Sequence, residues 1–205
     1  MSIPELNRRA RPQQARSQAT VERVLLVSAE LLEEVGVNGF NTNLLARRVG
    51  VGVRAIYRYF PNKWAILVAL AEGFGELERT WVGDLKHPSG ADLQASIDRA
   101  IDGYYEGAKR RPGYAALRAA AQASPELRLV DERSNRALQE DLAAGLRDFG
   151  VKLDDRQLRT LCLVIIETAN RLLDLALQAE PEEAARIVTE LKRMLLAFLQ
   201  LYVTE

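Results

Sequence analysis

At 205 residues the chain exceeds the roughly 150 expected of one domain, so one domain, or one plus a small appendage, is anticipated. Its 48% hydrophobic and 27% charged residues belong to a folding chain rather than a disordered one. One cysteine (Cys162) and one histidine (His87) exclude an intramolecular disulfide, a paired-cysteine zinc site and a histidine-rich metal centre, so no metal or other cofactor is expected. A core needs no such staple, because a chain of this length buries about 70% of its unfolded surface. No apolar run reaches the ~18 residues of a spanning helix, and the arginine-rich N-terminus has no apolar signal segment. The expectation is a cytoplasmic protein without membrane insertion.

The charge balance of 28 basic and 28 acidic residues conceals a division. Residues 1–63 hold ten Lys/Arg against five Asp/Glu, and residues 64–205 hold eighteen against twenty-three, giving net charges of +5 and −5. Such asymmetry suggests an N-terminal part that meets a polyanion, although charge alone is equally a solvated basic face. Arg8, Arg9, Arg11 and Arg16 cluster in one acid-free stretch; Arg47, Arg48, Arg54, Arg58 and Lys63 cluster in another.

Taken in chain order, nearly every segment has helical periodicity. Over 19–35, Val21, Val24, Leu25, Ala29, Leu31, Leu32 and Val35 form one face and Glu22, Arg23, Glu30, Glu33 and Glu34 the other, with Gly36 as the stop. Asn41 and Thr42 cap a short helix over 43–49 that ends at Gly50. Gly50-Val51-Gly52 makes a turn, and a second short helix runs over 53–60 until Pro61 closes it. Asn62 caps a longer helix reaching about Trp81. After a soft segment at 86–90, containing His87, a helix over 91–109 is broken by Arg111-Pro112-Gly113. Ser124-Pro125-Glu126 starts another with a capping hydroxyl, proline at the first helical position and an acid for the dipole. Asp154-Asp155 opens the next, and Glu180-Pro181-Glu182-Glu183 the last. No strand alternation or repeat interrupts the series. The expected fold is all-α, about nine helices, divided into residues 1–63, whose first 18 form a mobile basic arm, and a helical part over 64–205.

Residues 42–60 read as helix, tight turn, helix, the second helix basic. In a helix-turn-helix the second helix enters the major groove while the first crosses the backbone. Helices this short are marginal alone, so the helix over 19–35 is required as a platform.

The run VGVNGFNTNLLARRVGVGVRAIYRYFPNKWAILVAL resembles the DNA-binding segment of the tetracycline-repressor (TetR) family of bacterial regulators. The resemblance rests on Gly36, Thr42, Ala46, Gly50-Val51, the string Ile56-Tyr57-Arg58-Tyr59-Phe60-Pro61-Asn62-Lys63, and Ile66-Leu67. It covers residues 18–70; from there to the C-terminus only the helical layout and length match. It implies that Thr42 offers a hydroxyl and a helix N-terminus to a phosphate, that Tyr57 and Tyr59 reach phosphates or thymine methyls, and that Lys63 clamps a phosphate. Asn43, Val53, Arg54 and Arg58 fall where base or backbone contacts are made. Arg54 is the candidate for guanine, because a guanidinium pairs with O6 and N7 together. The alternative role of Tyr57 and Ile56 is packing in the three-helix core. Two residues depart from the family pattern: Gly52 stands where a hydroxyl or acidic residue is common, and Val53 where a lysine is frequent. Both bear on which operator is read rather than on DNA binding. The arm carrying Arg8–Arg16 either enters an adjacent minor groove or is a solvated leader.

The resemblance further implies a ligand-binding domain that dimerises through its last two helices. Leu158, Leu161, Cys162, Ile165, Ala169, Leu172 and Ala176 make one stripe, with Leu163, Val164, Ile166, Leu173, Leu175 and Leu177 off it. The last helix repeats the pattern with Ile187, Leu191, Met194, Leu195, Phe198 and Tyr202. Helices apolar on most faces are buried on two sides, which a two-fold four-helix interface provides; Leu161, Ile165, Leu172, Leu191, Leu195 and Phe198 are its candidates. A largely apolar effector is expected among Trp64, Phe74, Trp81, Tyr104, Tyr105 and Tyr114, with Asn135, Gln139, Glu167 and Asn170 as polar contacts, although aromatics at helical spacing are more often core. Cys162 reads as a buried small hydrophobe.

The resulting expectation is a dimeric, ligand-responsive DNA-binding regulator, a repressor released from a palindromic operator by a small molecule. An enzyme lacks its parts here, with no glycine-rich phosphate loop, no HExxH and no histidine pair, so no catalytic residue is assigned. A helical adaptor acting through protein partners is the other reading, and salt-dependent DNA affinity separates the two.

Overall fold

The computed structural model describes residues 5, 6, 9, 14–82 and 92–203; Arg8, Arg11 and His87 lie outside the described residues. Among the described residues the chain is all-α: α1 (Ala15–Gly39), α2 (Thr42–Val49), α3 (Val53–Tyr57), α4 (Lys63–Trp81), α5 (Leu93–Lys109), α6 (Tyr114–Ala123), α7 (Pro125–Asp148), α8 (Asp155–Gln178) and α9 (Pro181–Leu199). No helix among them is long and apolar enough to cross a membrane.

Capping residues set most of the boundaries. The side chains of Asn41, Asn62 and Asp92 accept from the backbone N–H groups of Leu44, Ala65 and Ala95 at 2.9, 3.0 and 2.6 Å. Asp154 and Gln157 close a reciprocal capping box on α8, and Pro181 occupies the first turn of α9. Gly36 breaks α1 with φ 63°.

Three boundaries differ from the periodicity. α1 begins at Ala15, because Gln14 is extended and its carbonyl accepts from Ser17 and Gln18 at 2.9 and 3.0 Å. Arg16 is therefore on a helix rather than in an arm. α3 stops at Tyr57, where the N–H groups of Tyr59 and Phe60 both turn back to the Ile56 carbonyl ahead of Pro61. Alanine-rich α6 offers too little apolar contrast for the pattern to delimit it.

The chain forms two compact units. The first holds residues 1–75 and 111–132, the second 76–110 and 133–205. A cut at residue 63 is therefore not where compactness divides the chain: Ala65, Ile66 and Leu67 at the start of α4 are fully buried in the first unit, and α6 packs on α1 there.

In the first unit α1 buries Val24, Leu31 and Leu32, with Ser28 returning its hydroxyl to the Val24 carbonyl at 2.6 Å. Gly113 allows α6 to approach. A Cβ there would lie 2.3 Å from the Ala29 carbonyl oxygen, its φ is 72°, and its N–H donates to Glu33 Oε2 at 3.1 Å. Tyr114 stacks obliquely on Phe74 at 5.2 Å. In the second unit α8 packs on α9, and α5 on both. Arg79 grips Asp141 through two hydrogen bonds of 2.9 and 3.1 Å. Gly107 makes room for the Trp81 ring, 2.4 Å from where its Cβ would be.

Gly113→Ala combines a left-handed backbone with a backbone clash, so it should destabilise the chain by about 2–3 kcal/mol, seen as a clear fall in midpoint on chemical denaturation. An unchanged midpoint would contradict the role assigned to this contact.

Candidate functional site

α2 and α3 are held as a pair by apolar side chains and a tight turn. Leu45, Ile56 and Phe60 are completely buried and Val49 nearly so. Gly50 takes the left-handed conformation (φ 79°) at the end of α2, where its N–H and that of Val51 both donate to the Ala46 carbonyl at 3.0 and 3.1 Å. Thr42 Oγ1 and Tyr57 Oη lie 3.0 Å apart, tying the start of α2 to the end of α3.

Asn43, Arg47, Arg54, Tyr57 and Arg58 remain exposed on these elements. Asn43 and Arg47 are one helical turn apart and share a face of α2. Val53 is half-buried at the first position of α3, and Gly52 caps that helix without a side-chain bond. Tyr57 retains 39% exposure with its hydroxyl oriented by Thr42. Thr42 is itself buried, and its hydroxyl bonds the tyrosine.

Tyr59 departs from the expectation, and Arg48 of the basic stretch is already paired. Tyr59 is buried and cannot reach a phosphate with its ring; the turn after α3 carries it inward. The Arg58 guanidinium covers the ring at 5.7 Å, and the Tyr59 carbonyl accepts from the Arg9 N–H at 2.9 Å. Arg48 is not a free cation. It makes a two-pronged pair with Glu34 of α1 at 2.8 and 2.6 Å, which holds the Glu34 carboxyl below its ordinary range and raises the guanidinium. Fourteen residues separate this pair, so no local pattern announces it. Lys63 Nζ donates to the Val37 carbonyl at 3.2 Å and sits 4.9 Å from the Trp64 ring centre. An ammonium has three N–H donors, so this bond leaves two for a further acceptor.

The second unit contains a cavity of about 80 Å³ between α5, α7, α8 and α9. Its wall includes Ile97, Tyr104, Leu142, Ile165, Asn170 and Leu195, and none of its lining residues is charged. Of the ligand-contact candidates, only Tyr104 and Asn170 are in that wall. Trp81 packs edge-on against Tyr104 at 5.9 Å. Tyr105 is half-buried under Lys109 at 5.8 Å, Gln139 is half-buried, and Tyr114 belongs to the core of the first unit, as does Phe74. Asn135 is buried beside Asn170, whose Nδ2 donates to its Oδ1 at 2.9 Å. Glu167, expected as a polar contact of the effector, is exposed and outside the cavity wall, and it accepts from Asn135 Nδ2 at 3.5 Å. Sequence reasoning missed the wall supplied by Leu138, Leu142, Gly145 and Phe149; their spacing along α7 is the signal that would have found them.

Cys162 is fully buried, and desolvation pushes its thiol up to about 11 against the opposing charge of Arg147. At neutral pH it stays a protonated, unreactive thiol.

On the terminal helices the inward and outward stripes are the reverse of part of the expectation. Leu161, Ile165, Leu191 and Leu195 lie in the core of their own unit, and Leu172 and Phe198 are half-buried. The apolar side chains left outside are Leu163, Val164 and Leu175 on α8, Met194 on α9 and Leu201 beyond it. A helix apolar on two faces does not reveal from its own sequence which face its unit takes first.

Residues 24–70 match the family model described as bacterial regulatory proteins, tetR family, and residues 92–199 match the tetracyclin repressor-like C-terminal domain. The class C tetracycline repressor protein of Escherichia coli is 36% identical over 101 residues, covering 45% of this chain and 44% of that protein. The class A tetracycline repressor protein from transposon 1721 (Escherichia coli) is 51% identical over 49 residues, 24% of this chain and 23% of that protein. The chain thus matches less than half the length of these curated relatives. A TetR-family transcriptional regulator from Streptomyces coelicolor superposes with a TM-score of 0.72 at 28% identity, covering 92% of this chain and 100% of that one. With both halves of the architecture matched and a helix-turn-helix built as described, the chain belongs to the TetR family of transcriptional regulators, DNA-binding proteins rather than enzymes.

Proposed function

We propose that this chain is a homodimeric repressor that binds a palindromic operator and is released from it by a small-molecule effector. The observation that carries the DNA-binding part is the exposed set Asn43, Arg47, Arg54, Tyr57 and Arg58 on a packed helix pair whose segment 41–63 contains no acidic residue. Arg54 sits in the first turn of α3, where a recognition helix meets base edges, and pairs with guanine through O6 and N7. Val53 contacts a thymine methyl at most, since it has no hydrogen-bonding group. Arg47, Arg58 and Lys63 meet phosphates, Tyr57 a phosphate or a thymine methyl, and Asn43 a base or the backbone. Residues 1–63 are the DNA-reading part and the helices after them the regulatory part.

Dimerisation is supported by the outward apolar side chains of α8 and α9. Solvent-exposed Leu163, Val164, Leu175 and Met194, with half-buried Leu172 and Phe198, make a surface that a second copy covers by two-fold symmetry. Two copies then present their recognition helices to half-sites about one helical turn (~34 Å) apart. The effector site is the uncharged cavity of the second unit. An effector bound more tightly by a conformer with a different half-site spacing lowers the population that fits the operator.

Arg54→Ala should weaken specific operator binding by about tenfold to a hundredfold and relax selection at one base pair, whereas Arg47→Ala should weaken binding to all sequences and reduce the slope of affinity against salt by about one ion. Fluorescence anisotropy over a salt series measures both. Two variants that bind like wild type would remove α2 and α3 from the interface. Val164→Glu together with Leu175→Glu should convert the dimer to a folded monomer in sedimentation velocity, with operator affinity lost. A dimer that persists would move the interface elsewhere.

A further inference from the structure

The cavity of the second unit has an amide in its wall, and the direction of that amide is set from outside the cavity. Three polar residues are in its lining: Ser96, Tyr104 and Asn170. Ser96 Oγ accepts from Arg99 at 3.3 Å and keeps its O–H as a donor, so it supplies no strong free acceptor, and Tyr104 is engaged with other groups. Asn170 is only 7% exposed. Its Nδ2 donates to Asn135 Oδ1 at 2.9 Å, and among the described residues its own Oδ1 has no partner. An amide can be turned over, exchanging acceptor for donor, unless something fixes it. Here that is Glu167. At 3.5 Å its bond to Asn135 is long, but its polarity is unambiguous: a carboxylate accepts, so Asn135 must turn Nδ2 to Glu167 and Oδ1 to Asn170. Asn170 must then give Nδ2 to Asn135, which leaves its carbonyl oxygen as the remaining acceptor.

We propose that the effector is an uncharged, mainly hydrocarbon molecule carrying one hydrogen-bond donor, a hydroxyl or N–H group, that is received by Asn170 Oδ1, with Glu167 as the positioning residue acting through Asn135. This deepens the reading of the cavity as an effector site and rests on it. A charged ligand is disfavoured because no lining residue carries a compensating charge and burying an unpaired ion is costly. The size is also bounded. A cavity of about 80 Å³ is smaller than the ~150 Å³ apolar cavity that admits benzene, so before any expansion it suits a molecule smaller than benzene.

The test uses 1-butanol and diethyl ether, isomers that differ in having or lacking a donor, together with butyrate as the charged probe. The full-length protein, methyl-labelled at isoleucine, is titrated by NMR while the lining residues Ile97, Ile101, Ile165 and Ile166 are followed. The expected result is that 1-butanol shifts these methyls with about fivefold higher affinity than the ether, and that butyrate shifts none at pH 7. Asn170→Leu should abolish the alcohol–ether difference. Glu167→Gln, at an exposed position, should reduce it to under about twofold while leaving the methyl spectrum of the free protein folded, because glutamine can also donate and Asn135 is then free to turn over. Equal affinities for the two isomers, tight butyrate binding, or a preference that survives both substitutions would overturn the assignment to Asn170 while leaving the cavity a binding site. If none of the three probes moved the lining methyls, both the inference and the cavity's role as an effector site would fall.

Discussion

Helices of eight and five residues do not persist in water, so this helix pair exists only because it is packed against its neighbours, α2 on α1 and α3 on α2. Leu45, Val49 and Ile56 are buried in this packing, and the exposed face follows from it. Once they face inward, helical geometry leaves Asn43, Arg47, Arg54 and Arg58 outside. The Thr42–Tyr57 hydrogen bond then fixes the one aromatic ring that remains exposed on these two helices, and the Glu34–Arg48 pair fastens the end of α2 to α1. Thr42 and Arg48 are therefore parts of the frame that holds the exposed side chains in place.

The second unit separates polar and apolar work in a comparable way. Lys192 pairs with Asp98 and Asp102 at its surface, the buried carboxylate of Asp141 is held by Arg79, and the cavity wall has no charge. Two buried amides, Asn135 and Asn170, pair with each other between α7 and α8. A buried amide pair costs stability unless it is satisfied, and here the pair is ordered by a carboxylate that stays near solvent. This turns two polar interruptions of apolar helices into a directed acceptor.

Much of the fold is legible in the sequence because its punctuation is chemical. Asn41, Asn62, Asp154, Gly36 and Gly50 each mark a helix end for a reason that operates within four residues. The helix-turn-helix is legible for the same reason, together with the string from Ile56 to Lys63. What escapes is decided across distance. The inward turn of Tyr59, the pairing of Arg48 with a residue on another helix, and the assignment of Tyr114 to the first unit all depend on tertiary neighbours. The terminal helices show the limit most clearly. Two apolar stripes can be read on α8, but only packing tells that Leu161 and Ile165 go to the core and Val164 and Leu175 remain outside.

Selection of bound duplexes from a random library, at fixed physiological salt and with the protein's mass in solution recorded alongside, tests the central claim most directly. The account predicts enrichment of a palindrome whose half-sites lie about one helical turn apart, bound by a protein of twice the chain mass. Recovery of no sequence above non-specific binding, or of a single unrepeated half-site by a monomer, would contradict it.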